Sequence, residues 1–145
     1  MGEKILRCLG EPYLPYFIAV FFSIIHQRQA GKKITGGIIE EIYNDDLLGV
    51  HGKGYFEYYR QRLRTYTEPF TKAAEEVLKE ACLVDDGYTT DLAFSVFESA
   101  SGTKDYELFL GLMADLENDF YVRIIDKKIY FQSKVLADWW RRYYG

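Results

Sequence analysis

Cysteine is scarce in this sequence. Only Cys8 and Cys82 occur among 145 residues, far apart and outside any C-x-x-C spacing. That excludes a disulfide framework and a dithiol redox motif, and the pair reads as reduced thiols of a cytosolic protein. Histidine is as scarce: with only His26 and His51 present, a zinc site would have to recruit carboxylates. Positive charge is not in excess either. The formal net charge is −4. Non-specific nucleic-acid binding needs many cations against phosphate, so it is disfavoured as the main work, although a local basic patch stays open.

Long apolar runs are also missing. The most apolar stretch is "YLPYFIAVFFSII", residues 13–25, interrupted by Pro15. It falls short of the ~20 residues that a membrane-spanning helix needs. Lys4 and Arg7 precede it, as in a signal peptide, but the chain continues "HQRQAGKK" with no small-x-small cleavage site. The stretch reads as a buried helix, the protein as cytoplasmic, and no membrane partner is expected.

Catalytic motifs fail one by one. A phosphate-binding loop needs G-x-x-x-x-G-K followed by Ser or Thr. In "GVHGKG" the pair Gly52-Lys53 is followed by Gly54, and Leu47 stands where the first Gly belongs. The string reads as a loop that tops a helix. No G-x-S-x-G elbow occurs. The paired carboxylates (Glu40-Glu41, Asp45-Asp46, Glu75-Glu76, Asp85-Asp86) are sequence neighbours, which do not face each other on a helix. The chain is expected to be no enzyme and to hold no cofactor or metal of its own.

Aromatic residues are what the chain has in quantity. They make up 17% of it, with 13 Tyr, 10 Phe and two Trp, within a hydrophobic share of 48%. Such a chain can bury a substantial core. Pro12 and Pro15 can open a helix over about 15–29, ended by "AGKK" with Gly31 at C′. This helix is apolar almost all round, which predicts a central position. Thr35 is a candidate N-cap for a helix with Ile38, Ile39, Ile42, Tyr43 and Leu47 inward. A third helix, about 54–67, carries Tyr55, Tyr59, Leu63 and Tyr66 on one stripe, among Arg60, Arg62 and Arg64. Residues 1–68 are thus expected to form a helical lobe.

From Pro69 the pattern changes. "PFTKAAEEVLKEAC" predicts a helix. "DLAFSVFESA" predicts another, with Leu92, Val96 and Phe97 inward. "DYELFLGLMADLEND" predicts a third, with Leu108, Phe109, Leu112, Met113 and Leu116 inward. "FYVRI" and "IYFQS" around "IDKK" read as a β-hairpin, and Ser133 caps a final helix. The fold class is therefore mainly α. A helical lobe is followed, over 69–145, by three helices, a hairpin and a C-terminal helix, the element order of a winged helix.

The ending "LADWWRRYYG" is unusual for a chain terminus, which is usually polar and frayed. On a helix, Val135, Leu136, Trp139, Trp140 and Tyr143 form one apolar face, with Lys134, Asp138, Arg141 and Arg142 largely opposite. Leu136, Trp139, Trp140 and Tyr143 read as a structural anchor. An exposed aromatic-basic tail that stacks on bases is the competing reading. In winged-helix DNA readers the helix before the hairpin enters the major groove. Here residues 103–119 set Lys104 against Asp105, Glu107, Asp115, Glu117 and Asp119, one cation against five carboxylates. Such a helix is repelled by phosphate. Contact with nucleic acid, or with a partner, would fall to Arg123, Lys127 and Lys128 of the hairpin and to Arg141 and Arg142 of the tail.

Three stretches carry a family resemblance: "LGEPYLPYFIAVFF", "ITGGIIEEIYNDDLLG…YFEYYRQRLRTY" and "IYFQSKVLADWWRRYYG". Together they resemble the C-terminal region, lid helices and then winged helix, of prokaryotic, archaeal-type P-loop ATPases of the AAA+/STAND group. Phe131, Ser133, Leu136, Asp138, Trp139 and Trp140 match the family's ending, and Ala137 stands where Arg is common. The resemblance implies a piece of a longer protein whose core binds ATP and Mg²⁺. It implies as partners that ATPase core and a further protein. No residue here inherits the nucleotide site, since no Walker motif is present.

Overall fold

A computed structural model describes residues 2–10, 15–29 and 31–145. Pro12, Ala30 and the side chains of His51 and Tyr55 lie outside what it describes. The described chain is mainly helical with one small antiparallel sheet. The order is α1 (Gly2–Leu9), α2 (Pro15–Arg28), α3 (Gly36–Ile42), a π-helical turn (Tyr43–Leu47), α4 (Val50–Arg62) and a 3₁₀ turn (Leu63–Thr65). Then follow α5 (Phe70–Ala81), β1 (Tyr88–Thr89), α6 (Thr90–Ser101), α7 (Tyr106–Asn118), β2 (Val122–Ile125), β3 (Lys128–Phe131) and α8 (Lys134–Tyr144).

Side-chain caps set several helix starts. The Thr35 hydroxyl accepts from the Ile38 amide at 3.3 Å, Asp105 accepts from the Glu107 amide at 3.0 Å, and Ser133 accepts from the Leu136 amide at 3.2 Å. Each satisfies an amide that the first turn leaves without a partner. The hairpin closes on a two-residue turn, Asp126-Lys127, with φ of 51° and 61°. Two left-handed residues give the turn geometry that matches strand twist. β3 is central in the sheet order β1-β3-β2. Val122 pairs with Phe131 and Arg123 with Tyr130 on one side, and Tyr88 pairs with Ile129 on the other. Two residues are too few to show a period, so β1 has no signature in the sequence.

One contiguous cluster of buried apolar residues runs from Ile5 through Phe21, Ile42, Phe56, Val77, Phe97 and Leu116 to Trp140. Both stretches of the chain, 1–68 and 69–145, contribute to it.

Four expectations need correction. α2 does not run through the centre: Ala19, Phe22, Ser23 and His26, at helical spacing, are exposed, while Phe17, Val20, Phe21, Ile24 and Ile25 face the core. "GVHGKG" is not a loop but the first turns of α4. A Cβ at Gly49 would lie 1.9 Å from the Asp45 carbonyl oxygen, and one at Gly52 would lie 1.6 Å from that of Leu47. The glycines let α4 begin in backbone contact with the π-helical turn. In α6 the inward residues are Ala93 and Phe97, whereas Leu92 is exposed. Apolar residues occupy so much of this helix that its phase is ambiguous by pattern. In α7, Leu108 is exposed and Phe109, Leu112, Met113 and Leu116 are buried.

Candidate functional site

Of the four residues expected to form an anchor, Leu136, Trp139 and Trp140 are buried and Tyr143 is exposed, and α8 ties together more of the chain than its own neighbours. Trp139 and Trp140 are 0% and 1% exposed. The Trp139 ring lies 5.6 Å from Phe56 of α4, centroid to centroid, while Trp140 lies 5.9 Å from Phe131 of β3 and 6.1 Å from Tyr121. The two indoles point to opposite halves of the chain. Each removes ~150–250 Å² from water, several kcal/mol at ~25 cal/mol per Å². Leu136 is buried, and Tyr143 stays 36% exposed while its hydroxyl donates to the Leu48 carbonyl at 2.7 Å. Tyr144, not singled out by sequence, packs on both indoles and donates to Glu57 at 3.0 Å. Arg60 lies 4.2 Å over its ring. An exposed base-stacking tail is excluded for the Trp pair.

Asp138 is the polar centre of α8. It accepts from the Tyr43 hydroxyl and from Lys134 at 2.6 Å, and Arg141 lies at 3.6 Å. Arg142 donates to the Asn44 carbonyl. Burial, then the neighbouring Asp138 carboxylate, pushes the Tyr43 phenol well above its usual range. Burial likewise raises the Cys8 and Cys82 thiols, so neither is poised as a nucleophile.

The five basic residues do not form one face. Arg123 and Arg141 line a cleft of about 480 Å³ between β3, α8 and the end of α5, together with Tyr130, Lys134, Asp85 and Asp138. Arg141 is engaged there: its Nε donates to the Cys82 carbonyl at 2.8 Å and it pairs with Asp85 at 3.0 Å. Arg123 lies 5.7 Å over the Tyr130 ring, and its buried Nε has no hydrogen-bond partner among the described residues. Lys127 and Lys128 sit exposed at the hairpin tip, outside that lining. Arg142 is turned toward residues of the first half.

α7 presents a second surface. Tyr106, Leu108 and Leu110 are exposed to 50%, 44% and 43%. A groove of about 480 Å³ runs along it, lined by Tyr66, Phe70, Leu108, Gly111 and Leu112 with Glu107 and Asp115 at its edge. Of the five carboxylates on this segment, Asp105 caps α7, Glu117 accepts from the Ile124 amide at 2.8 Å, and Asp119 accepts from Tyr66 at 2.6 Å and pairs with Arg62 at 3.4 Å. Among the described residues Glu107 and Asp115 have no side-chain partner.

Among the described residues no helix is long and apolar enough to cross a membrane, and no group of three or more His, Cys, Asp or Glu could hold a metal ion. Comparison with protein families, curated proteins and solved structures finds no match to this chain.

Proposed function

We propose that this chain is a non-catalytic module of a cytoplasmic, prokaryotic P-loop ATPase, a helical lobe joined to a winged helix, that relays nucleotide state through protein contact. The winged-helix reading draws support from the order α5-β1-α6-α7-β2-β3 and from the sheet order β1-β3-β2, with Asp126-Lys127 as a minimal wing. The ATPase reading rests on the sequence resemblance, with Phe131, Ser133, Leu136, Trp139 and Trp140 of its matched ending all buried. One observation favours protein over DNA. On the winged-helix reading α7 would be the reading helix, and its open side carries Glu107 and Asp115 between Leu108 and Leu110. That surface repels phosphate and offers apolar area to a protein. Movement of the module as a body against the ATP- and Mg²⁺-binding core would carry the signal. The test is photo-crosslinking in the full-length protein, with reactive residues placed at position 67, on the rim of that groove, and at position 127, in ATP and in ADP. Contacts that change with nucleotide are expected; identical patterns in both states would sink the proposal.

A second reading, DNA contact by the wing, is favoured by Lys127 and Lys128, both exposed at its tip. It predicts sequence-blind, salt-sensitive binding.

A further inference from the structure

We propose that the groove between α7 and the α4–α5 connection is a docking site for a basic, apolar segment of a partner protein. The inference rests on the protein-contact reading above and adds where the contact is made and by what chemistry. Three independent features converge on this groove.

The first is its charge. Glu107, Gly111 and Asp115 stand at i, i+4 and i+8, one row along the open side of α7. Glu107 and Asp115 are separated by about 12 Å along the axis at 1.5 Å per residue. Neither carboxylate has an ion pair within the described chain, and no Lys or Arg lines the groove. The two carboxylates thus bracket it with uncompensated negative charge.

The second is its apolar lining. Leu108 and Leu112 form the adjacent i, i+4 row, opposite Phe70 and Tyr66. Leu108 is 44% exposed, and leaving such area in water is unfavourable in the absence of a partner.

The third is Gly111. It sits mid-helix, where Ala would be about 1 kcal/mol more favourable. A Cβ there would meet nothing within 4 Å, so no contact inside the described chain requires Gly. A bare helix surface between two carboxylates permits a second backbone to approach closely.

The complementary segment carries an apolar side chain seated against Leu108 and Leu112, over Gly111, with a Lys or Arg on either side reaching Glu107 and Asp115. On a partner helix those two cations are about seven or eight residues apart. Nucleic acid does not fit, because the edge would face its phosphates.

The test is an NMR titration of the 145-residue chain with a synthetic 14-residue Leu/Lys amphipathic peptide, and with a matched Leu/Glu peptide. Shifts confined to residues 65–70 and 107–115 are expected with the Lys peptide only. Glu107→Lys with Asp115→Lys should weaken binding at least tenfold. So should Gly111→Leu, which fills the groove at a position with room for the side chain. Asp86→Lys with Asp91→Lys, the same charge change elsewhere, should leave it within twofold. Shifts centred on the cleft at Arg123, equal binding of the Glu peptide, no binding, or full binding by Gly111→Leu would each overturn the proposal. The crosslinking above separates the two claims. Nucleotide-dependent contacts that form through position 127 but never through 67, or that join 67 only to another copy of the chain, would remove the groove and leave the module. No nucleotide-dependent contact at either position would remove the module itself.

Discussion

The Tyr43 hydroxyl donates to the carboxylate of Asp138, across 95 positions of sequence. The bond joins the π-helical turn to α8 and leaves Asp138 with three donors around it. A hydrogen bond to a charged acceptor contributes roughly 1.5–3 kcal/mol. Tyr43→Phe should lower stability by about that amount in chemical denaturation at neutral pH.

The same phenol gives a pH dependence. Burial, then Asp138, raises Tyr43, and burial raises Tyr121. In the unfolded chain both ionise near pH ~10. Below that value the folded chain keeps the full contribution. Above it the unfolded state loses protons that the folded state retains, so stability falls as pH rises, by ~1.4 kcal/mol per pH unit for each group. Melting curves from pH 8 to 11 should show a decline that starts where Cys8 and Cys82, whose thiols are also raised in the fold, ionise in the unfolded chain (~8.5), and that steepens near pH ~10 as the phenols follow. Tyr43→Phe should make that decline shallower by about one proton; an unchanged slope would contradict the assignment.

Glycines that look alike in "GVHGKG" should respond in opposite ways. A Cβ at Gly52 would press into the Leu47 carbonyl, whereas one at Gly54 would meet nothing within 4 Å. Gly52→Ala should therefore destabilise by about 3 kcal/mol or more, since backbone has to move. Gly54→Ala should stabilise by up to about 1 kcal/mol through helix propensity. Denaturant midpoints of the two variants decide it.

This contrast also shows why part of the fold was legible in sequence and part was not. Ser133 before an apolar face, and Asp126-Lys127 between two β-rich runs, are local signals, and both mark what the structure contains. The stripe of α8 was readable because Trp, Leu and Val repeat against Lys, Asp and Arg. The start of α4 was hidden because its glycines answer to a neighbouring turn. The phase of α6 was hidden because Leu92, Ala93, Phe94, Val96 and Phe97 offer several apolar faces. At the candidate sites, Trp139 and Trp140 could be named as anchors, but their opposite partners, Phe56 and Phe131, are set by tertiary packing. The engagement of Arg141 and Arg142 by backbone carbonyls has no sequence signal at all.

Trp139 combines a favourable burial with an unsatisfied polar group. Its ring is fully buried, yet its Nε1 has no hydrogen-bond partner among the described residues. Trp139→Ala should cost about 3–5 kcal/mol. Trp139→Phe keeps most of the apolar contact and removes a buried donor whose desolvation costs roughly 1–3 kcal/mol. It should cost far less than the alanine variant. Equal losses in urea unfolding would show that indole shape, not apolar area, is what Phe56 and Tyr144 require.

Phe120 ends α7 in a conformation that usually belongs to glycine. Its φ is 65°, its amide donates to the Glu117 carbonyl at 3.1 Å, and the Tyr121 amide donates to that of Leu116 at 3.0 Å. These are the two bonds of a Schellman motif, with Phe at C′. The left-handed region costs an L residue roughly 1–2 kcal/mol. Phe120 is also 60% exposed, so truncating it sacrifices little packing. Phe120→Gly should raise stability by up to about 1 kcal/mol, after the added freedom of the unfolded chain is subtracted. A loss on thermal melting would mean that the ring packs in solution.

DNA binding by the wing has a direct test. At low salt, wild type and Lys127→Glu with Lys128→Glu are titrated against a fluorescent duplex of arbitrary sequence. Every phosphate that the variant no longer neutralises should lower the slope of log affinity against log salt by about 0.9. If the wing binds DNA, wild type shows a slope near −2 or steeper, and the double variant forfeits most of it. The acidic side of α7 and the internal engagement of Arg141 and Arg142 leave few cations free for phosphate. The expected outcome is therefore no measurable binding by either form. Salt-dependent binding that the wing substitutions abolish would reverse the order of the two functional readings, because it would show Lys127 and Lys128 sufficient to overcome the repulsion from Glu107 and Asp115.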